Sequence, residues 1–260
     1  ICRQAIVAQP NSQGAGECRN ILRSLEAKEL NVEVEQVNLP QQPFRVLVSH
    51  RNLTQLFFRV IRLDERLQAQ IEQVERKNRY DREAVVKLLR QQRAVESWSV
   101  DLPTSDDYYR HRVEIAVPAL PVGRYFLLSG DSEDFALAQH GVAFVQCQVS
   151  NLSYLHQRLP NDQHVLYLRD RQTGAPLTDV EAKVYRDRDY RPLESSPDLT
   201  LRTDAQGRIS FEAGNRNRWA RVVFTQGDDR LETERLYLMG DPYRDSFDPE
   251  EDNRRVSFFT

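Results

Sequence analysis

Apolar residues recur along this chain at two spacings, and the changes between them mark its elements. Cys18, Ile21, Leu22 and Leu25 fall at i, i+3, i+4 and i+7, one face of a helix, so residues 1–30 read as an N-terminal helical segment. The stretch before that stripe, residues 9–16 (QPNSQGAG), reads as a loop by composition. The apolar face is made to pack, on the first sandwich or on something upstream. From Asn31 the period becomes two, with Val32 and Val34 alternating against polar neighbours. Pro40 and Pro43 then bar helix. The runs FRVLVSHRN and LTQLFFRVIRL predict two strands paired antiparallel around residues 50–52. Helical spacing returns at Leu67, Ile71 and Val74, and again at Val85, Leu88 and Leu89 after the polar break RKNRYD. This predicts a helical insertion over about residues 64–97, as one long or two short helices. Its other face, dense in Arg, Glu and Gln, reads as a solvated helix face; the sharper alternative is a contact surface for neighbouring domains.

Alternation resumes with Trp98, Val100 and Leu102, and with Val113, Ile115 and Val117. The corner Pro121-Val122-Gly123-Arg124-Tyr125 leads into an apolar run over residues 125–128. Residues 129–141, polar and flanked by glycine, read as the boundary between a first sandwich at 31–136 and a second domain at 137–260. There Val142, Phe144 and Cys147 read as inward residues of an opening strand. In VLYLRDRQTGAPLTDVEAKVYRD, Val165 and Tyr167 share one face and Leu166 and Leu168 the other, so that strand is buried on both sides. After the kink at residues 173–176, Val180, Ala182 and Val184 point one way. Asp204-Ala205-Gln206-Gly207 predicts a hairpin, and residues 226–229 another. The tail DPYRDSFDPEEDN reads as an acidic loop, and RRVSFFT starts a further strand. Short strands with frequent turn signals favour a mainly β protein of two antiparallel β-sandwiches over a barrel or an α/β fold.

Composition narrows the function. The chain has 260 residues, which suits two domains. Lys plus Arg is 36 against 39 for Asp plus Glu, a formal net charge of -3, so no basic excess drives nucleic-acid binding. No apolar run approaches a membrane-spanning helix, and no signal peptide is visible. The chain opens on Ile1 without Met and closes on Phe258-Phe259-Thr260 within a strand pattern, so it reads as a piece of a longer protein. Cys2, Cys18 and Cys147 are too few and too odd in number for a disulfide framework. Either Cys2 and Cys18 pair with Cys147 buried alone, or all three are reduced buried thiols.

Candidate chemistry is sparse. The histidines His50, His111, His140, His156 and His164 form no HxxxH or HExxH arrangement. His156 and His164 flank a loop and are able to approach each other, but a surface or internally satisfied histidine is the expectation for all five. No GxSxG, Walker loop, GxGxxG or CxxC is present. Residues 248–253 (DPEEDN) lack the glycine and spacing of a calcium loop and read as a solvated turn. The sequons at Asn52 and Asn151 lie at strand ends and carry little weight. No catalytic, cofactor-binding or metal-ligating residue is assigned, and no cofactor or small-molecule substrate is expected.

One resemblance adds to this reading. VLYLRDRQTGAPLTDVEAKVY, then LRTDAQGRISF, then RVVFTQGDDRLETERLYL resembles a macroglobulin domain of bacterial alpha-2-macroglobulin-like proteins. NLPQQPFRVLVSHRNLTQLFFRVIRL and LPVGRYFLLSG look like the macroglobulin domain before it, so the resemblance covers residues 31–260. It implies two immunoglobulin-like sandwiches with no enzymatic activity, within a protease-trapping inhibitor of the bacterial cell envelope, periplasmic or at the outer membrane. The implied partners are neighbouring macroglobulin domains and, through the intact protein, target proteases. Many members carry a Cys-x-Glu-Gln thioester; Gly16-Glu17-Cys18 and Gln146-Cys147-Gln148 have neither its order nor its spacing, so neither thioester nor bait region is carried over. Transthyretin-like and carboxypeptidase-regulatory domains share the turn pattern. The alternative is therefore a carbohydrate- or protein-binding module of an adhesin or outer-membrane receptor, which predicts a concave aromatic surface. Trp98 alternates inward and argues against it, while Trp219 is free to be exposed. The 173–176 turn is expected only to connect two strands.

Overall fold

The structure, a computed structural model, describes residues 1–78, 81–103, 107–137, 141–159, 162–188, 196–214 and 217–238. The chain divides into two compact units, one of residues 1–36, 43–119 and 124–147, the other of 37–42, 120–123 and 148–260.

The first unit opens with α1 (Cys2–Ala8) and α2 (Gln13–Glu26). The second helix begins inside the expected loop because Ser12 caps it: its hydroxyl accepts from the Ala15 N–H at 3.2 Å. Only Ala15 of α2 is buried, so most of the apolar stripe stays at the surface; Ile21 is half exposed. The strands that follow in this unit are β1 (Glu29–Val34), β3 (Phe44–Arg51) and β4 (Gln55–Arg62); the short β2 (Val37–Asn38) belongs to the second unit. After α3 (Glu65–Lys77) and α4 (Arg82–Arg90) come β5 (Glu96–Asp101), β6 (His111–Val117), β7 (Gly123–Gly130) and β8 (Val142–Val149). One sheet has the order β1-β3-β6; the other runs β8-β7-β4-β5.

Contrary to the expectation, β3 and β4 do not pair with each other. β3 lies between β1 and β6, and β4 between β7 and β5. Asn52, held at φ 57, turns the chain out of one sheet and into the other. The reason is burial: both strands carry an apolar face (Val46 and Val48; Leu56, Phe58 and Val60), and placing them in opposite sheets gives both faces a core. The opposite face of the second sheet offers Ile61, Phe126 and Leu128 to the helical insertion. Leu67 and Ile71 of α3 and Val85, Val86 and Leu89 of α4 cover them, on the predicted stripe. Asp64 and Asp81 start the two helices by accepting from Leu67 N–H at 2.7 Å and Ala84 N–H at 2.9 Å. A sheet buried on both faces explains why residues 56–61 and 125–128 read as nearly continuous apolar runs.

The second unit builds two sheets from β9 (Leu152–Leu159), β10 (Gln163–Asp170), β11 (Glu181–Arg188), β12 (Leu199–Arg202), β13 (Arg208–Glu212), β14 (Asn217–Gln226), β15 (Asp229–Glu232) and β16 (Leu236–Tyr237). The orders are β13-β10-β9 and β12-β11-β14-β15, with β16 also on β14. Leu166 and Leu168 of β10, Ile209 and Phe211 of β13, Ala182 and Val184 of β11, and Val222 and Phe224 of β14 share one buried cluster. The turn at residues 226–229 makes the predicted β14–β15 hairpin, with Gln226 opposite Asp229. The turn at residues 204–207 does not make a hairpin: β12 pairs with β11 while β13 pairs with β10, so it is an arch from one sheet to the other. Gly207, at φ 71, lies against β10 so closely that a Cβ would sit 2.4 Å from the Leu168 carbonyl oxygen. Its own carbonyl accepts from Leu168 N–H at 2.7 Å.

A buried carboxylate ties the start of β9 to the β14–β15 hairpin. Asp229 accepts from the Ser150 hydroxyl at 2.6 Å and the Asn151 N–H at 2.8 Å. Beside it the Gln148 side chain extends the ladder, donating to the Glu232 carbonyl and accepting the Glu232 N–H, both at 2.8 Å.

Two stability measurements follow. Gly207→Ala adds a backbone clash to left-handed strain, and urea denaturation is expected to show a loss of about 3 kcal/mol or more. Gly174→Ala, with a similar φ of 73 and no atom within 4 Å of its Cβ, is expected to lose only about 1 kcal/mol. Equal losses would refute the close fit of Gly207 on β10. Asp229→Ala strands the buried Ser150 hydroxyl and the half-buried Asn151 N–H, and the same assay is expected to show a loss of about 2–4 kcal/mol; a neutral substitution would remove Asp229 as the tie.

Candidate functional site

The turn after β10 is built around Asp170. Its carboxylate accepts from the backbone N–H of Gln172 at 3.1 Å and of Thr173 at 2.8 Å, and from the Thr173 hydroxyl at 2.8 Å. The Thr173 backbone and hydroxyl donors hold the Asp170 carboxyl below the usual carboxylate range. Gly174 takes the left-handed conformation, and Arg169 bridges to Pro176 across the bend. From Pro176 the chain enters β11 in the opposite sheet, where the Thr203 hydroxyl accepts from Val180 N–H at 2.9 Å and donates to the Leu177 carbonyl at 2.7 Å. The polar atoms of this turn are engaged in shaping it.

The densest chemistry is the histidine pair. His156 on β9 and His164 on β10 stand opposite Leu166 and Arg158 respectively in the strand register, and their side chains meet. His156 Nε2 is 2.9 Å from His164 Nδ1, with the rings 12° from parallel. His164 Nε2 lies 3.3 Å from the Leu238 carbonyl, and Phe211 stacks on its ring at 5.8 Å. A carbonyl only accepts, so His164 carries its hydrogen on Nε2 and receives at Nδ1; His156 therefore donates from Nε2. Both nitrogens of His164 are engaged, and the pair keeps one lone pair, on His156 Nδ1. That arrangement suits a neutral structural clamp and leaves a metal a single ligand. Consistently, no group of three His, Cys, Asp or Glu placed to hold a metal occurs among the described residues. Burial and the His164 charge press the His156 pKa down to about 4. Burial lowers His164 as well; Arg158 and Arg186 act in the same direction, against the Leu238 carbonyl and Asp162.

No family model and no curated protein matches the chain. Solved structures do. The crystal structure of native alpha-2-macroglobulin from Escherichia coli spanning domains NIE-MG1 superposes with a TM-score of 0.55 at 16% identity, over 79% of this chain and 97% of that one. The structure spanning MG0-NIE-MG1 of the same protein gives 0.55 at 14% identity, over 81% of this chain; the match takes in 64% of that longer structure. The fold is that of alpha-2-macroglobulin domains.

The other sequence candidates take plain places in this macroglobulin-type fold. His50 on β3 faces His111 on β6 with ring centres 5.9 Å apart, and His111 Nε2 meets Asp107 Oδ1 at 2.8 Å. His50 is buried, and desolvation, then the His111 charge, lower its pKa. His140 and residues 248–253 lie outside the described residues. Asn52 caps α2: its side-chain amide donates to the Leu25 carbonyl at 2.7 Å and the Ala27 carbonyl at 2.9 Å. Asn151 gives its backbone N–H to Asp229. Cys147 is buried, which pushes its thiol up to about 12. Trp98 stacks on Phe58 at 5.0 Å, whereas Trp219 is 36% exposed and meets Tyr237 edge-on at 4.9 Å. The cap role of Asn52 and the anchoring role of Asp229 escaped sequence reasoning because each partner is remote in the chain; only the sequon drew attention to Asn52. No described helix is long and apolar enough to cross a membrane.

The histidine pair predicts a specific pH response. An unfolded His156 takes up its proton near 6.5, the folded one only near 4. Between those values the unfolded state binds more protons, so stability falls as pH falls from about 6.5 to about 4. His156 is partly exposed, so the loss is discounted to on the order of 2 kcal/mol. His156→Gln keeps a donor for His164 Nδ1 and is expected to flatten that slope in urea titrations at pH 7, 5 and 4. An unchanged slope would remove His156 as its source.

Proposed function

We propose that this chain is a non-catalytic structural part of an alpha-2-macroglobulin-like protease trap of the bacterial cell envelope. The observation that carries the reading is the superposition on NIE-MG1 across nearly the whole of that structure. The engaged polar groups support it: the Asp170 turn, the Asp229 anchor and the histidine pair each hold backbone or side-chain partners of the fold itself. The partners on this reading are neighbouring macroglobulin domains of one parent protein and, through that protein, a target protease that cleaves a bait region and is caged. The place of action is the periplasm or outer membrane.

The test uses the protein that carries this chain. After incubation with trypsin, the enzyme is expected to keep hydrolysing a small chromogenic ester while losing activity on casein, because a cage excludes only the large substrate. Full casein activity at a molar excess of the protein would overturn the trap reading. A second reading, a carbohydrate-binding module, draws on exposed Trp219 and Tyr237. It predicts that soluble cell-wall oligosaccharides quench tryptophan emission in the chain and fail to do so in Trp219→Phe; unchanged emission in both removes it.

A further inference from the structure

The first helical hairpin is held chiefly at one end. α1 buries none of its residues and α2 buries only Ala15. Cys2 and Cys18 are free, partly exposed thiols, so no covalent bond braces the two helices. The hold comes from the end of β3 and the residue after it. Arg51 donates to the Ser24 carbonyl at 3.0 Å, and Asn52 to the carbonyls of Leu25 and Ala27 at 2.7 and 2.9 Å. Arg51 also pairs with Glu29 at 2.7 Å, and Glu29 in turn with Arg110. These contacts need β3 and β6 to stay closed at this end, where His50 stands opposite His111 in the last step of their register.

His50 follows Val46 and Val48 on the inward face of β3 and is 3% exposed. Its Nδ1 is buried with no hydrogen-bond partner. Its ring centre lies 5.9 Å from that of His111, which is partly exposed and meets Asp107 at 2.8 Å. Among the described residues, the charged and titratable groups at this end are His111 on β6, Asp107 and Arg110 just before it, Arg51 on β3 and Glu29 on β1. Leu30 of β1, opposite His50, brings no charge. Both carboxylates are engaged, Asp107 by His111 and Glu29 by two guanidinium groups. A proton on His50 therefore lacks an anion and faces a second imidazole. A buried charge without a partner is relieved by opening to water. Burial, then the His111 charge, lower the His50 pKa from its ordinary 6.5, so the stability of the closed end is lost as pH falls below that value.

We propose that the His50–His111 pair is an acid-sensitive latch. On acidification the end of β3 parts from β6, Arg51 and Asn52 lose their carbonyl partners, and the α1–α2 hairpin comes free of the first unit. The latch needs only the first unit, so it stands apart from the trap reading.

The experiment follows amide hydrogen exchange of the whole chain at pH 7.5 and pH 5, each corrected for intrinsic exchange. Protection across residues 13–26 is expected to fall several-fold at the lower pH while α3 and α4 keep theirs. His50→Phe, apolar and of similar size, is expected to hold that protection at both pH values. His156→Gln, in the second unit, is expected to leave the loss in place. Equal protection of residues 13–26 at both pH values in the unaltered chain would overturn the proposal. So would a loss of the same size in His50→Phe, or one shared equally by α3 and α4, which would report unfolding of the whole unit. If His50→Phe does not fold, His111→Gln at the partly exposed position decides. It removes the second imidazole and is expected to shrink the loss, and an undiminished loss sinks the latch.

Discussion

The second unit depends on one close approach, Gly207 against the backbone of β10. A strand that leaves one sheet for the opposite one must cross the edge of the core, where backbone groups lose water and need partners. At residues 203–207 that crossing is satisfied at short range. Gly207 bonds Leu168, the Asp204 carboxylate accepts from the N–H groups of Gln206 and Arg208, and Thr203 binds the parallel crossing at Leu177 and Val180. Because no side chain separates Gly207 from β10, the two arches at residues 171–180 and 203–207 lie together and close the end of the sandwich.

Polar groups inside the units follow the same economy of partners. Ser150 and Asn151 meet Asp229, Gln148 completes the edge of β15, Thr233 exchanges hydrogen bonds with Val222, and His164 is bonded at both ring nitrogens. Buried polar atoms satisfied in this way specify one arrangement of strands. They also explain why the histidines and carboxylates most suggestive of chemistry belong to the scaffold. A bead in a chain of domains needs a fixed shape more than a reactive centre, and this pattern fits the trap proposal on physical grounds.

The two units solve burial differently. In the first, one sheet is covered on its outer face by α3 and α4, so its strands are apolar on both sides and the inserted helices show clear amphipathic stripes. In the second, arches enclose a central apolar cluster. The hairpin of α1 and α2 belongs to neither solution; Ile21 and Leu25 remain at the surface and its hold on the first unit comes chiefly through carbonyl caps from Arg51 and Asn52.

Element type was legible in the chain wherever one local rule governed it. Period-two alternation marked Val180, Ala182 and Val184, helical spacing marked Leu67, Ile71, Val85 and Leu89, and a two-residue turn with Gly227 marked the β14–β15 hairpin. The order of strands and turns through residues 165–238 also carried the resemblance to a macroglobulin domain, because each turn there announces itself by local residue type. Pairing was not legible. β3 beside β4 and β12 beside β13 look like hairpins, because adjacency and a turn are local signals. Whether a strand pairs with its neighbour or crosses to the opposite sheet depends on which apolar face must meet which core, and that is settled among residues far apart in the chain. The approach of His156 to His164 was legible from the loop between them, but the Leu238 partner of His164, the Asp229 anchor and the Asn52 cap were not. Their residue types were visible, but their roles required partners that only the closed sandwich brings within hydrogen-bonding distance.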